Sequence, residues 1–372
     1  MERKYGKKNV VKIDPLAYNI CLLGEPKIGK TTVVKEMLEK LVGEDGYMFL
    51  EMAGEAGADA ISDIISEDIE EWGEIEDIID YIEDNRNTEY KDLKVIVIDT
   101  YDGWIKVAEQ EMIRKWNKSN LDKKTDTINA VEGGFQKGQA KAFDLMFKII
   151  TRLKKIGIST IIIGHVKSKE IADIATGTTY QTLTSDVEKV YFNLIKKKMH
   201  FIGLAYYDRT IITEKTGKKN IVTKKDITIN KLKAESRKIK FRDDNMALDS
   251  GSRFADIIDE IPLDSDALIN AMKDAIAKEH GKSKNKKSIE ETRKEQEVAK
   301  EEKVKKQVAK MNENKDLEDI NNKINKFIKN ANRDVEILTP LLKEAKRLGL
   351  TKSSDIENIT DINIARELVK VI

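Results

Sequence analysis

The feature that most constrains the fold is the stretch Gly24–Thr32, GEPKIGKTT, which follows the apolar run Tyr18–Leu23 and leads into a helical pattern at Thr32–Val42. It contains Gly-x4-Gly-Lys-Thr in full, between a predicted strand and a predicted helix, which is the context that this motif requires. Glycines let the backbone curl so that its N–H groups face an anion, and the start of the helix adds a favourable dipole. The stretch therefore predicts a strand–loop–helix unit that holds the phosphates of a nucleotide.

Within this loop the lysine and the first threonine carry the predicted chemistry. Lys30 is expected to contact the β- and γ-phosphates and to act in catalysis, and the Thr31 hydroxyl is expected to bind Mg²⁺. A chance glycine turn is the alternative, and the flanking strand and helix argue against it. The predicted nucleotide-binding residues are Gly24, Glu25, Pro26, Lys27, Ile28, Gly29, Lys30, Thr31 and Thr32.

A second acidic position completes the predicted metal site. The run Lys94–Ile98 is mostly apolar and ends in Asp99, at the carboxyl tip of a predicted strand. A carboxylate there can hold the water shell of Mg²⁺. Such a pattern is common by itself, but it is informative when it follows a complete phosphate loop by one or two strand–helix units. We therefore predict Asp99, with Thr31, as a metal-binding residue.

Two acidic residues follow the second predicted strand: Glu51 and Glu55, in the stretch Phe49–Gly57. Both lie at the carboxyl end of a strand, where ligand sites of open α/β sheets form. We predict Glu55 as the catalytic residue that orients the attacking water, because the glycines beside it allow the loop to approach the γ-phosphate. Glu51 stays open as the alternative, as does a merely solvated acid in an acidic stretch.

The last site prediction is a histidine. The apolar run Thr160–Ile163 ends in Gly164 and His165. A polar side chain at this tip can touch the γ-phosphate and report its presence to the following loop, and perturbed polar groups cluster at such positions. We predict His165 as a catalytic residue, against the equally open interpretation that it is an ordinary hydrogen-bonding residue.

The nucleotide is identified by elimination. Thr223–Asp226 superficially fits a guanine-reading motif, in a lysine-rich region where a four-residue match arises by chance. The companion Asp-x-x-Gly motif is missing, because Asp99 is followed by Thr100, Tyr101 and Asp102. The predicted cofactors are therefore ATP and Mg²⁺.

Short apolar runs alternate with amphipathic helical patterns in the first half of the chain, which is typical of an α/β fold with a mainly parallel sheet flanked by helices. The predicted strands are Tyr18–Leu23, Tyr47–Leu50, Leu93–Ile98, Ser159–Ile163 and Phe201–Tyr206, and the predicted helices are Thr32–Val42, Ala58–Ile82 and Gln139–Lys155.

The second half has a different pattern. Thr210–Thr213 and Ile221–Ile229 predict a hairpin with a turn at Glu214–Asn220, Arg237–Arg242 an edge strand, and Asp256–Ile261 and Asp266–Glu279 two helices. Residues 281–312 are highly charged and predict a solvated helix or a flexible linker. Helical periodicity returns after them. We predict an ATPase core over 1–280, a charged linker or helix over 281–312, and a small helical module over 313–372.

Composition favours a soluble cytoplasmic protein. There is a single cysteine, Cys21, so no intramolecular disulfide can form, and no apolar run is long enough for a signal peptide or a membrane span. The formal net charge is +1, so the overall balance of charge indicates no partner.

GEPKIGKTT, VIVIDT, the acid after the second strand and IIIGH together resemble the RecA-like P-loop ATPases. More closely, they resemble the phage-encoded group linked to recombination and single-strand annealing, over roughly residues 15–265. The resemblance implies two loops that face single-stranded DNA, here Asn129–Gln139 and Val166–Ser185. Phe135, Lys137 and Tyr180 are their candidate contacts, because flexible loops with cations and aromatic side chains suit sequence-tolerant binding. RecA itself has Gln where this chain has His165.

The distribution of charge adds to this prediction. Residues 51–89 contain fifteen acidic side chains against one arginine, whereas residues 189–240 contain fifteen basic side chains against four acidic ones. A basic segment of this length is typical of a polyanion site, or of a surface that docks on the acidic face of a neighbouring subunit. A neighbour in an oligomer often supplies a cation to the γ-phosphate. The candidates are Lys196–Lys198, Arg209, Arg237, Arg242 and Arg253, with Arg209 preferred.

The sequence thus predicts an ATP-hydrolysing, RecA-like protein that acts on single-stranded DNA in phage recombination or replication, in the cytoplasm of the bacterial host. We expect a homo-oligomer without membrane contact, and a C-terminal module that binds a replication or single-strand-binding protein. Two alternatives stay open. One is a loader or motor ATPase that acts on a protein partner, and the other is a nucleotide switch that does not hydrolyse ATP.

Overall fold

The computed structural model describes residues 6, 9–55, 57–172, 179–219, 226–242, 250–283, 287–332, 334–350 and 352–372. A large sheet forms the centre of the first part of the chain. Its described strands are β1 (Ile20–Gly24), β2 (Tyr47–Met52), β3 (Ser66–Ile69), β4 (Val95–Asp99), β5 (Ser159–Ala172), β6 (Thr179–Ser185), β7 (Phe201–Lys219), β8 (Asp226–Lys240), β9 (Gly251–Ser252) and β10 (Glu260–Pro262).

The strands lie in the order β10-β8-β7-β1-β5-β4-β2-β3, with β6 beside β5 and β9 beside β7. Pairing is parallel from β7 through β1, β5, β4 and β2 to β3, and antiparallel between β7 and β8, β8 and β10, β5 and β6, and β7 and β9. The predicted α/β class with a mainly parallel sheet is therefore confirmed. One strand, β5, separates the strand before the phosphate loop from the strand that ends in Asp99.

Helices cover the sheet and continue beyond it. The described helices are α1 (Lys30–Val42), α2 (Trp72–Asp84), α3 (Tyr101–Ser119), α4 (Lys137–Lys155), α5 (Lys189–Lys196), α6 (Ser265–Gly281), α7 (Ile289–Asn330), α8 (Val335–Arg347), α9 (Ser353–Glu357) and α10 (Ile362–Val369). None of these helices combines the length and the apolar character needed to cross a membrane.

The core explains why the parallel strands form. Every residue of β1, β2 and β4 is buried, so these strands have helices on both faces and contain runs of branched apolar residues instead of alternating ones. Alternate side chains of these strands pack against the apolar faces of α1 and α6 in one continuous cluster: Ile20, Leu22, Tyr47, Phe49, Val95 and Val97. Burial of this kind, worth roughly 1.5–3 kcal/mol for each large aliphatic side chain, fixes the register of the strands.

One predicted helix is wrong in its first part, and a second is wrong throughout. The segment Ala58–Ile82 contains strand β3 before α2 begins at Trp72, because Ser66–Ile69 pairs with the edge of β2 and buries Ile69. The segment Asp256–Ile261 is not helical, and its end joins β10, which pairs with β8. Arg237–Lys240 is consequently an interior part of the sheet, and β10 occupies the edge.

Two predicted loops are shorter than predicted, because much of each segment lies in a strand. The described parts of Val166–Ser185 belong mostly to β5 and β6, which pair antiparallel from Val166 with Ser185 to Ala172 with Thr179. The predicted turn Glu214–Asn220 lies in strand β7 as far as Lys219, which pairs with Asp226. These strands are rich in Lys and Thr, so apolar and polar residues do not alternate clearly along them, and the sequence pattern does not indicate strands.

The C-terminal part of the chain is helical. The predicted charged segment 281–312 lies largely in α7, a helix of 42 residues. The chain divides into a unit at Met1–Ala299 and a unit at Lys300–Ile372. The second unit has its own apolar cluster, formed around Ile324, Leu341, Ile356 and Leu368. The boundaries predicted at 280 and 312 stay predictions.

Candidate nucleotide-binding site

The ends of the parallel strands bring the predicted site residues to one edge of the sheet. Gly24, at the end of β1, is aligned with His165 on β5 and with Ala205 on β7. Asp99, at the end of β4, is aligned with Glu51 on β2. This is the edge at which ligands bind in open α/β sheets.

The phosphate loop begins and ends at glycines that have steric roles. A Cβ atom on Gly24 would lie 2.9 Å from Ala205, so a larger residue would separate β1 from β7. Gly29 has φ +106° and precedes the first turn of α1, a backbone conformation that residues with a side chain rarely adopt. The loop therefore has the backbone curl that its sequence predicts.

Lys30 lies inside this loop and is 6% exposed. Its Nζ donates hydrogen bonds to the carbonyl oxygens of Gly24 at 3.1 Å and Glu25 at 3.0 Å. Burial lowers the pKa of Lys30, and the neighbouring carboxylates of Asp99 and Asp102 oppose that shift. In the part of the chain that the structure describes, this buried ammonium group has no ion pair, which suits an incoming phosphate.

Thr31 and Asp99 are adjacent, as their predicted joint role requires. The Thr31 hydroxyl donates to Asp99 Oδ2 at 2.8 Å. Burial raises the pKa of Asp99 to about 6, even though Thr31 and Lys30 lower it. A Cβ on Gly57 would lie 3.6 Å from the Thr31 hydroxyl oxygen and 3.9 Å from Asp99 Oδ2, so the glycine leaves this space open. A hydroxyl and a buried carboxylate facing open space fit Mg²⁺, which prefers hard oxygen ligands.

The two candidate glutamates have different surroundings. Glu51 is 3% exposed, and its Oε2 accepts the Ala58 N–H at 3.1 Å, so it anchors the loop after β2. Glu55 lies on a turn with left-handed backbone at Ala53 and Gly54, and its side chain is 35% exposed. Glu55 is thus the more accessible of the two carboxylates, while the catalytic assignment itself stays a prediction.

His165 is bound to a carboxylate that the sequence analysis did not assign to the site. Asp102 Oδ2 lies 3.1 Å from His165 Nδ1, and Asp102 Oδ1 accepts the His165 backbone N–H at 3.3 Å. Glu55 Oε1 lies 3.9 Å from the same Nδ1. Each of the three side chains has a potential ligand atom within 4.8 Å of the others. The site therefore concentrates titratable groups beside Asp99 and Lys30.

The pKa values of His165 and Asp102 are shifted in opposite directions. The hydrogen bond to Asp102 raises the pKa of His165 above 6.5, although burial and Lys30 oppose it. Burial alone would raise the pKa of Asp102, but its bonds to His165 outweigh that effect and lower it. One signal in the sequence could have identified Asp102: it follows Asp99 by three residues, in the first turn of α3, which begins at the same sheet edge.

The first predicted DNA-binding loop has an unusual backbone. The 3-10 segment that begins at Ile128 is interrupted at Val131 and Glu132, whose backbone is not helical, and α4 already begins at Lys137. Phe135 is 95% exposed, the largest value among the exposed large apolar side chains described. Five consecutive residues have positive φ angles: Glu132, Gly133, Gly134, Phe135 and Gln136. Non-glycine residues in that region cost free energy, and such strain is concentrated at functional sites.

The second predicted DNA-binding loop is described only in part, and the candidate cations Arg209 and Arg242 have partners in their own chain. The tip of the β5–β6 hairpin and the side chain of Tyr180 lie outside the described residues. Arg209 pairs with Glu235 at 2.7 Å, and Arg242 donates to the Phe254 carbonyl at 2.9 Å. Arg237 contacts the phosphate loop of its own chain, as described below. The predicted donation of a cation to a neighbouring subunit stays a prediction.

Comparisons with known proteins agree with the phosphate loop. A family model described as an AAA domain, AAA_24, matches residues 16–231, which is more than half of the chain. No curated protein matches significantly. Among 106 matching chains of solved structures is a KaiC-like protein from the hyperthermophilic archaeon Pyrococcus horikoshii OT3. It is 13% identical with a TM-score of 0.31, over 62% of this chain and 81% of that chain. At that TM-score the likeness carries no weight for the function.

Proposed function

Since the chain belongs to the AAA_24 family of AAA domains, we propose that it is a P-loop ATPase of RecA-like type that hydrolyses ATP with Mg²⁺ while acting on single-stranded DNA. Its cellular role in this proposal is phage recombination or replication, in the cytoplasm of the bacterial host. The resemblance of its motifs to the phage-encoded recombination group supports that role. The observation that carries the DNA part is the exposed, strained Phe135 loop.

The nucleotide part of the proposal uses the residues already described. The loop Gly24–Thr32 would bind the phosphates, with Lys30 neutralising their charge. Thr31 and Asp99 would hold Mg²⁺, which neutralises charge on the β- and γ-phosphates when bound. ATP is the proposed nucleotide because the guanine-reading motifs are incomplete.

The polar cluster supplies the remaining roles. Glu55 is proposed to orient the attacking water, because it is accessible and lies close to both Lys30 and His165. His165 is proposed to detect the γ-phosphate. Its Nδ1 faces Asp102, which leaves Nε2 available to a phosphate oxygen. His165 lies in β5 directly before Val166, where the pairing of β5 with β6 begins. A shift of His165 would therefore be transmitted along the strand to the β5–β6 hairpin.

The Phe135 loop supports contact with nucleic acid. An aromatic side chain that is 95% exposed gains free energy by stacking, and every base offers a π-face. Glu132, three residues before Phe135, forms an ion pair with Lys141 at 2.6 Å. Lys137 is exposed two residues later and can contact a phosphate. An exposed aromatic side chain beside a cation suits sequence-tolerant binding of a single strand.

The distribution of charge along the chain supports the homo-oligomer that we propose. α2 and the segment before it are strongly acidic, and the segment 189–240 is strongly basic. Opposite faces of this kind favour head-to-tail association in a homo-oligomer, or a polyanion on the basic face. We further propose that the C-terminal helical unit binds a replication or single-strand-binding protein, since it has its own apolar core.

The Phe135→Ala substitution tests the DNA part. A stacked base contributes about 1–3 kcal/mol, so the affinity for a short oligothymidine labelled with a fluorophore should fall by about fivefold or more. Fluorescence anisotropy at fixed salt measures this. The matched control is Leu121→Ala, which removes another exposed apolar side chain, 72% exposed, from a different turn. The control should bind as the wild type does.

Equal affinity of Phe135→Ala and the wild type would contradict the role of this loop. If the wild type itself shows no salt-sensitive binding to single-stranded DNA, the DNA proposal is wrong. Hydrolysis of ATP that then responds to a protein partner would indicate the loader alternative.

A further inference from the structure

Arg237, on strand β8, contacts the phosphate loop of its own chain. Its Nη1 donates a hydrogen bond to the Ile28 carbonyl oxygen at 3.0 Å. The same nitrogen would lie 3.0 Å from a Cβ on Gly29, so the guanidinium packs directly against the glycine that precedes α1. Sequence distance concealed this contact, since 209 positions separate Arg237 from Ile28.

The backbone of Arg237 is held on both sides. Arg237 is aligned with Tyr207 in the antiparallel pairing of β8 with β7. On the other side, its carbonyl oxygen accepts the Leu263 N–H at 2.9 Å. Leu263 also approaches the phosphate loop, with Cδ2 3.8 Å from a Cβ on Gly29. The guanidinium therefore projects from a fixed point of the sheet.

The charge of Arg237 is also less compensated than that of its neighbours. Arg209 is paired with Glu235, and Lys238 is paired with Asp208 and Glu260, both at 2.7 Å. Among the described residues, the recorded acceptor of Arg237 is an uncharged carbonyl group. A guanidinium group has five N–H donors, so most of its hydrogen-bonding capacity is not used by that bond.

The contact has a geometric consequence for the loop. The Ile28 carbonyl and the Gly29 N–H belong to one planar peptide unit, in which a trans arrangement points the two groups in opposite directions. A donor that holds the carbonyl on one side therefore directs the Gly29 N–H to the other side. In phosphate loops such N–H groups are the ligands of the phosphate oxygens.

We propose that Arg237 acts in cis as a positioning residue for nucleotide binding. It holds the Ile28–Gly29 peptide in the orientation that receives phosphate, and it adds uncompensated positive charge next to the loop. This inference rests on the ATP-binding part of the proposed function and is independent of DNA. It also replaces, for Arg237, the predicted role of a cation donated to a neighbouring subunit.

The test is the affinity of the full-length protein for a fluorescent ATP analogue with Mg²⁺ and without DNA. A hydrogen bond from a charged donor is worth about 1.5–3 kcal/mol, so Arg237→Ala should raise the Kd by about tenfold or more. Arg237→Lys keeps the charge and one donor and should restore part of the loss. Lys233→Ala removes an equal charge from an exposed position of the same strand and should bind as the wild type does.

Three outcomes would overturn the inference. The first is a Kd in Arg237→Ala equal to that of the wild type. The second is a loss of turnover alone that is rescued by mixing Arg237→Ala with Lys30→Ala subunits, since that rescue would require donation between subunits. The third is an equal loss in Lys233→Ala, which would indicate a general effect of charge. Matching circular dichroism melting curves establish that each variant is folded, and failure of the wild type to bind any ATP analogue would instead contradict the proposed function itself.

Discussion

The parallel part of the sheet, from β3 to β7, and the antiparallel ribbon formed by β7 and β8 are built in different ways. Strands β1, β2 and β4 are buried along their whole length, and polar residues follow only where each strand ends. Residues 232–237 of β8 are exposed, and charged side chains occur all along that strand. In the first region the function is concentrated at one edge. In the second, charge is distributed over a surface.

The difference has a physical origin. Apolar side chains on both faces of a strand fix its neighbours and its register, so a side chain at the strand end is placed accurately. The exposed residues 232–237 gain little from burial, so they are free to present charge to solvent or to a partner. Arg237 and Ala205, near the base of the ribbon, contact the phosphate loop and so connect the two regions.

The largest effect is expected from Glu55→Gln in the loop after β2. Loss of a group that activates water lowers turnover by about a hundredfold or more, while nucleotide binding is kept. Single-turnover ATP hydrolysis and titration with an ATP analogue separate the two quantities. Glu51→Gln is the control, because an amide oxygen can still accept the Ala58 N–H that Glu51 binds. Full turnover in Glu55→Gln together with loss in Glu51→Gln would reverse the assignment.

A matched pair of truncations tests the structural side of the comparison. Ile98→Ala in β4 removes a side chain that is 0% exposed, and it should lower the free energy of unfolding by about 2–5 kcal/mol. Leu232→Ala in β8 removes one that is 56% exposed, and its effect should stay below about 1 kcal/mol. Urea unfolding followed by circular dichroism measures both. Equal losses would mean that the ribbon is packed as tightly as the parallel strands.

A smaller effect is expected from Asp102→Asn, through the protonation of His165. Asparagine keeps an acceptor for the ring but removes the negative charge, so the pKa of His165 should fall. Burial, with a contribution from Arg253, lowers the pKa of His200 to about 4, so NMR titration can distinguish His200 from His165. The signal of the third histidine, His280, is removed by recording both proteins in a His280→Gln background. An unchanged pKa of His165 in the variant would show that the pair does not exist in solution.

The same pair makes stability depend on pH in a defined direction. The pKa of His165 is raised in the folded protein, so the contribution of its pairing with Asp102 is fully present below pH 6.5. It is lost as the pH rises from 6.5 through the pKa of the folded state. Asp102→Asn should flatten this part of the stability profile.

The parallel region could be predicted from the sequence because each of its signals is local. The phosphate loop, the strand ending in Asp99 and the strand ending in His165 each combine a strand pattern with a polar residue at its end. Lys30, Thr31 and Asp99 lie together as the strand order of such a fold requires. Predicting these residues required only that parallel strands share one carboxyl edge.

The missing parts depend on tertiary contacts. Strand β3 has two consecutive exposed acids before the buried Ile69, so it lacks a period-two pattern, and the helical periodicity of the region favours a helix. Asp102 belongs to the site because α3 begins where β4 ends, and Arg237 belongs to it because β8 pairs beside β7. The contact of Arg237 leaves no mark in the local sequence, whereas Asp102 could have been identified from its position three residues after Asp99. The length of β7 was hidden by lysines and threonines, which mask alternation.

The most direct test of the central claim is ATP hydrolysis by the purified protein, with and without single-stranded DNA, beside the Lys30→Ala variant. The proposed function predicts hydrolysis that requires Lys30, that increases with DNA, and whose stimulation fades as salt releases the phosphate contacts. Hydrolysis that is indifferent to DNA at every salt concentration would contradict the DNA-dependent function. Absence of hydrolysis in the wild type would contradict the ATPase assignment itself.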